Sequence, residues 1–196
     1  MKRSFDIAFS VLGLAVLSPI LLSIAWCIKN EDGGPVFYRG VRVGLHGKPF
    51  RIYKFRTMVV KAEKMGPSST SEGDPRITGV GRWIRKHKLD ELPQLLNVFL
   101  GDMSFVGPRP QVKWAVDLYT SAEKAILTVR PGITDYASLR FANEAEILKG
   151  SKDPDQAYLE KIHPEKMRLS LEYVRNRSFW LDLKLIFLTV GNILRM

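Results

Sequence analysis

The sequence has a single cysteine, Cys27, among its 196 residues. No disulfide can form within the chain, and no cysteine-based metal cluster can be built. So little cysteine fits a reducing compartment. Histidine is almost as scarce: His46, His87 and His163 are scattered along the chain, which argues against zinc chemistry. No serine or cysteine stands in a nucleophile motif. Repeats and low-complexity segments are absent. Negative charge is also in short supply. Thirty Lys and Arg face twenty Asp and Glu, a formal net charge of +10. That excess points to an anionic partner: nucleic acid, an acidic membrane surface or a phosphorylated substrate. The length is enough for one domain with a core of its own.

Charge is missing altogether from Val11 to Ile28. As a helix, that stretch rises about 27 Å, close to the ~30 Å hydrocarbon core of a bilayer. A short spanning helix and a signal peptide both fit, but no Ala-x-Ala-type cleavage site follows the apolar run. Ser18-Pro19 sits near its middle. Pro19 has no N–H to give the carbonyl of Ala15, so a kink is expected there. The Ser18 hydroxyl is placed to satisfy the freed backbone. Lys2-Arg3 lie on one flank, and Lys29 with the basic remainder on the other. Positive segments prefer the cytoplasm. Both flanks can be cytoplasmic only if the helix enters the membrane and returns. Asp6 lies three residues after Arg3, so the two can pair on one helix face.

Glu31-Asp32-Gly33-Gly34-Pro35 reads as a turn-rich linker. Val36 to Val43 and Phe50 to Met58 read as two strands around Gly44-Leu45-His46-Gly47-Lys48. Arg39, Arg42, Arg51, Lys54 and Arg56 decorate this hairpin, as a solvated basic face commonly does. Gly66 to Arg76, rich in Ser, Gly, Pro and Thr, reads as a loop and a candidate lid. Helices are expected over Thr78–Lys88, within Val112–Val129 with a break near Ser121, and over Asn143–Lys149, Pro154–His163 and Pro164–Asn176. Ser178 to Leu194 is rich in large apolar residues, but Asp182, Lys184 and Asn192 interrupt it. It is a poor spanning segment and reads better as an amphipathic helix at the membrane interface than as a buried core helix. The fold class is α+β, mostly helical, with one small β-hairpin.

The chemistry concentrates in Leu89 to Pro110. This stretch opens on two adjacent carboxylates, Asp90 and Glu91, and closes on Arg109 held between Pro108 and Pro110. A basic run, Arg82 to Lys88, stands just before it. Carboxylates ringed by cations suit chemistry on a phosphate. The two prolines stiffen the backbone around Arg109, which suits a fixed phosphate clamp. Neighbours in a helix do not face the same way, so Asp90 and Glu91 are expected to split roles, one aimed at phosphorus and one at a metal. Leu92 to Leu100 reads as an apolar helix with Pro93 in its first turn. The plainer reading makes Asp90 an N-cap and Glu91 a first-turn acid on the helix dipole. Arg85 and the Gly-Pro-Arg-Pro stretch favour a site.

These residues resemble the bacterial sugar transferase family, the monotopic phosphoglycosyl transferases. Leu89 to Pro110 follows the family signature nearly throughout. Further similarity lies at Lys2-Arg3 with Asp6, at Ser18-Pro19, at Tyr53-Lys54-Phe55-Arg56-Thr57-Met58 and at Val129-Arg130-Pro131-Gly132-Ile133-Thr134. Together they span nearly the whole chain, which resembles the family's minimal catalytic core. The resemblance implies transfer of a sugar 1-phosphate from a UDP-sugar to undecaprenyl phosphate, with release of UMP. It implies a covalent phosphosugar on Asp90, with Glu91 and Mg2+ assisting. It also implies a re-entrant helix over residues 1–30, broken at Ser18-Pro19, and a cytoplasmic catalytic domain over 31–196 at the bacterial inner membrane. Lys54, Arg85, Arg109, Pro108 and Pro110 are the substrate-binding residues expected, and Asp90 and Glu91 the metal ligands. One departure stands out. Where many members continue Gly-Leu-Ala after Ile133-Thr134 and later show Asn-Gly-Arg, this chain reads Asp135-Tyr136-Ala137 and runs on to Glu144.

The competing class is a membrane-anchored basic module that binds nucleic acid or anionic lipid without catalysis. It accounts for the charge and the N-terminal segment. It leaves the carboxylates beside Pro108-Arg109-Pro110 unexplained, and no nucleic-acid motif with interleaved aromatics is present. The partners expected are therefore a UDP-sugar, undecaprenyl phosphate and a membrane, and not nucleic acid; a homodimer is left open. Within the enzyme class, single displacement without a covalent intermediate is the alternative. No local motif names the sugar.

Overall fold

A computed structural model describes residues 1–66, 73–141, 143, 147–151 and 153–194. Part of the expected loop at Gly66–Arg76 (67–72) and of the expected helix at Asn143–Lys149 (144–146) lies outside the described residues.

The uncharged N-terminal run forms one helix, α1, Lys2–Asp32, which continues through Pro19, so the expected break at Ser18-Pro19 does not interrupt it. The ladder is mended locally. Ser18 Oγ donates to Ala15 O at 2.8 Å, the carbonyl that Pro19 cannot serve, and Ser23 Oγ donates to Pro19 O at 2.8 Å. Gly33 ends the helix in the left-handed conformation (φ 71°), its N–H returning to Lys29 O. Glycine takes this conformation without the clash a Cβ would bring.

Both ends of α1 rest on the body of the protein. At the first turns, Lys2 Nζ donates to Val106 O and Tyr173 Oη, each at 2.8 Å, and pairs with Asp182 at 2.8 Å. Arg3 donates to Val98 O and Phe99 O, and Asp6 accepts from Ser104 Oγ and Phe105 N. The Arg3–Asp6 pair that their spacing allows therefore does not form; carbonyls and hydroxyls of the body compete for both. At the last turns, Ile24 and Ile28 are buried against Phe55 and Ile84. Glu31 accepts from Val80 N, and Asp32 pairs with Arg56.

The hairpin is present as two short ladders in a single register. Strands β1 (Phe37–Tyr38) and β4 (Lys54–Phe55) pair antiparallel, as do β2 (Val41–Val43) and β3 (Pro49–Arg51). The expected strands were longer. Met58 makes only an isolated bridge, to Ile77.

A second pairing was not expected from the sequence. Strands β5 (Ser104–Val106) and β6 (Gly132–Thr134) run parallel. Three residues are too few to show a period-2 pattern. The signal lies in the glycines instead. A Cβ on Gly107 would come within 2.3 Å of Arg130 O, and one on Gly132 within 2.1 Å of Gly107 N. Only glycine allows the two backbones to approach this closely.

The remaining helices are α2 (Gly79–Lys86), α3 (Gln94–Leu100), α4 (Lys113–Asp117), α5 (Tyr136–Arg140), α6 (Pro154–Lys161), α7 (His163–Asn176) and α8 (Phe179–Leu194), with short 3-10 segments at Leu45–Gly47, Ala62–Lys64, Leu89–Glu91 and Glu123–Thr128. Thr78 caps α2 by accepting from Gly81 N. Asp153 caps α6 ahead of Pro154, and Asp135 caps α5 through Ser138 N. Helix α8 divides its two faces. Leu185 is fully buried beside Val106 and Tyr173, while Trp180 (78%) and Phe187 (74%) stay exposed. It is thus partly a core helix and partly an open apolar surface. Val16 (67%) and Leu22 (70%) leave a similar surface on α1.

Candidate active site

Three chain segments converge on one cluster. β4 supplies Lys54. The single turn Leu89–Glu91, between α2 and α3, supplies Asp90 and Glu91. The segment after β5 supplies Arg109. Lys88 enters the turn with φ 55°, a left-handed conformation uncommon outside glycine. That reversal sets the two carboxylates ahead of α3 rather than on it.

Glu91 is the anchored member of the pair. Lys54 Nζ donates to its Oε1 at 2.7 Å, Arg109 Nη1 donates to its Oε2 at 3.0 Å, and Arg109 Nη2 donates to Oε1. Burial pushes its carboxyl up, but the charges of Arg109 and Lys54 outweigh burial and hold it well below the usual carboxylate range. Asp90 is the freer member. Among the described residues its one ion-pair partner is Lys54, at 3.6 Å. It caps neither its own turn nor α3, whose cap position is Pro93 with no side-chain bond. The capping role is thereby removed, and the two carboxylates differ in environment as their sequence positions suggested. Both remain reachable, with side-chain exposures of 14% and 24%.

Arg109 is aimed by its neighbours. Pro108 and Pro110 are buried and Arg109 between them is half-buried. Pro108 O accepts from Gly132 N, tying this segment to the start of β6. Arg85 sits in the last turn of α2, where its Nε donates to Thr57 Oγ1 at 2.8 Å. Burial lowers its pKa, and the negative charge of Asp90 opposes this. A guanidinium does not lose its proton on that account. Locally, Lys54, Arg85 and Arg109 bring three positive charges against two from Asp90 and Glu91. The surplus suits a phosphate.

Ser18 and Pro19 are not part of this cluster; their described hydrogen bonds stay within α1. A cleft lined by Arg109 together with Val43, Pro110, Tyr119 and Ile126 has no carboxylate in its lining. Thr57, which orients Arg85, was not singled out from the sequence, although it lies in the Tyr53–Met58 stretch. Asn97 was also missed. Its side chain accepts from Tyr53 N at 2.8 Å and donates to Arg51 O at 2.9 Å, which fixes α3 against the strand carrying Lys54.

Among the described residues no three His, Cys, Asp or Glu side chains gather as a metal cage. Two adjacent carboxylates do fit Mg2+, which commonly takes one or two carboxylates and completes its shell with water and substrate phosphate. They do not fit zinc.

The profile described as Bacterial sugar transferase matches residues 1–196. The chain is 38% identical over 197 residues to the UDP-glucose:undecaprenyl-phosphate glucose-1-phosphate transferase of Escherichia coli, covering 97% of this chain and 39% of that protein. It is 41% identical over 194 residues to the uncharacterized sugar transferase EpsL of Bacillus subtilis, covering 99% of this chain and 87% of that one. It is 38% identical to the UDP-N-acetylgalactosamine-undecaprenyl-phosphate N-acetylgalactosaminephosphotransferase of Aeromonas hydrophila, covering 99% of this chain and 44% of that one. The chain thus spans less than half the length of two of these relatives and most of the third.

Proposed function

This chain belongs to the bacterial sugar transferase family, and from that premise we propose that it moves a sugar 1-phosphate from a UDP-sugar to undecaprenyl phosphate, through a covalent intermediate on Asp90. The observation that carries the reading is the asymmetry of the carboxylates. Glu91 is held by Lys54 and Arg109, whereas Asp90 has only a 3.6 Å ion pair with Lys54 among the described residues and caps no helix.

In the first step a carboxylate oxygen of Asp90 attacks the sugar-bearing phosphorus. The bond from that phosphorus to the bridging oxygen breaks, and UMP departs with the electron pair. In the second step an oxygen of undecaprenyl phosphate attacks the same phosphorus, and the Asp90 carboxylate leaves. Covalent catalysis splits one hard transfer into two easier ones. Neither step needs a general base, because a carboxylate and a phosphate monoester are both largely ionised near neutral pH. Lys54, Arg85 and Arg109 bind phosphate oxygens, and Pro108 and Pro110 keep Arg109 in place. Mg2+, held by oxygens of Asp90 and Glu91 together with the pyrophosphate, would offset charge on the donor and on departing UMP.

The place of action is the cytoplasmic face of the bacterial inner membrane, as the first membrane step of glycoconjugate synthesis. Two observations support the membrane contact. Both ends of α1 rest on the same body, as a helix with both flanks on one side of the membrane requires. The apolar side chains left open on α1 and α8 fit contact with lipid. A site at that interface lets a water-soluble donor meet a lipid acceptor.

The test is a panel of UDP-sugars with undecaprenyl phosphate in detergent or nanodiscs, read as UMP. One donor should release UMP with lipid-dependent turnover. No UMP from any donor would leave the family's reaction unsupported for this chain.

A further inference from the structure

Gln94 is 1% exposed, and neither its amide nitrogen nor its amide oxygen has a hydrogen-bond partner among the described residues. Buried amides are normally satisfied, because an orphaned donor or acceptor keeps the cost of leaving water. Its neighbours on α3 are satisfied. Asn97, three residues on, bonds the backbone of Arg51 and Tyr53. Val98, four residues on, packs with Ile52 and Met103. Glu91, three residues back, bonds Lys54, the residue after Tyr53. Residues three and four apart share a helix face. Leu92 and Pro93 keep right-handed helical backbone between the Leu89–Glu91 turn and α3, so one face carries Glu91, Gln94, Asn97 and Val98 in succession, turned towards the hairpin strand that leads to Lys54.

We propose that Gln94 is a positioning residue that receives Glu91 when the donor takes Glu91's partners. This inference rests on the reading of the site given above. In the structure Lys54 and Arg109 occupy both Glu91 oxygens. A pyrophosphate competes for the same two cations. As they turn to it, Glu91 loses its partners beside the attacking Asp90. The amide nitrogen of Gln94, one turn away on the same face, then donates to a Glu91 oxygen and keeps that carboxylate in place.

The decisive variant is Gln94→Met, which keeps the length and removes the amide. An unused amide should be replaceable without loss of stability, so Tm should equal or exceed that of wild type. Turnover should nevertheless fall about 10–100-fold, the usual effect of removing a group that orients a ligand-bearing side chain. The fall should appear in kcat, with the donor KM nearly unchanged, and the Mg2+ concentration for half-maximal rate should rise. A purely packing role would move Tm and leave the Mg2+ response alone. Wild-type turnover in Gln94→Met would overturn the proposal. So would a fall in Tm of more than about 4 °C, roughly the scale of one lost interaction in a domain of this size, since it would mean that the amide is satisfied within the fold. A wild-type enzyme that released no UMP would take both readings down; a competent wild type beside an equally fast Gln94→Met would remove this one alone.

Discussion

Arg109 donates to both carboxylate oxygens of Glu91 from 18 residues further along the chain. Two parallel bonds between a guanidinium and a carboxylate fix orientation as well as distance. Lys54 adds a third contact from the hairpin. The cluster therefore ties three separate segments together through one side chain.

The pH dependence of this tie follows from its sign. Glu91's folded pKa lies below its unfolded value, which is about 4.3 for a free glutamate. Its contribution to stability is thus fully present above the unfolded value and is lost as pH falls through the folded one. The Tm difference between wild type and Glu91→Gln should be constant above about pH 5 and shrink below about pH 4. A difference that shrank between pH 6 and pH 8 would contradict the assignment.

Metal dependence is expected on the same residues. Glu91→Gln should lose most activity, and excess EDTA should stop wild type until Mg2+ is restored. Zinc should not substitute, because the two carboxylates lack the nitrogen or sulfur ligands it favours. Full turnover in excess EDTA would refute the metal role.

Lys2 holds the first turn of α1 to β5 and α8 at once. Asp182 is 6% exposed. Removing Lys2 leaves that carboxylate with Tyr173 alone as a described partner. Lys2→Met should destabilise the protein by about 1–3 kcal/mol, the cost of a buried polar group losing its partner. Lys2→Met with Asp182→Asn should recover part of that loss, because the two residues share one network. Simple additivity in a thermal melt would mean that they act independently.

Topology gives a separate check. With both ends of α1 on one body, cysteines placed near residue 2 and near Lys29 should resist an impermeant reagent in intact cells and react after lysis. Labelling of the residue 2 site in intact cells would replace the re-entrant helix by a spanning one.

Much of this was legible before the structure. The uncharged run, the hairpin around Gly44–Lys48 and the helices from Thr78 onward carry strong periodic or capping signals. Lys54, Glu91 and Arg109 converge from the segments singled out for them. What the sequence did not show depends on distance across the chain. β5 and β6 pair over 28 residues through backbones too short to show a pattern. Arg3 and Asp6 look like a helix pair until the body supplies better partners. Asp90 reads as a cap because acids before helices commonly are caps, and only the position of Pro93 at the start of α3 removes that reading.

Asp90 is where the remaining question is sharpest. A capping aspartate can be replaced by asparagine but loses about 1 kcal/mol as alanine. Asp90 caps no helix, so Asp90→Ala should cost no more stability than Asp90→Asn, without the extra loss of about 1 kcal/mol that a capping role would add. Both should lose turnover, because attack on phosphorus needs a charged carboxylate. Wild type incubated with UDP-sugar and no lipid acceptor should release up to one UMP per enzyme and gain the mass of one sugar phosphate. Peptide mapping should find that mass on the peptide containing Asp90. Single displacement predicts neither the burst nor the adduct. An Asp90→Asn enzyme, free of deamidated or wild-type contaminant, that turned over at the wild-type rate would end the nucleophile assignment. Loss of turnover without any adduct on wild type would instead make Asp90 a metal or phosphate ligand in a one-step transfer.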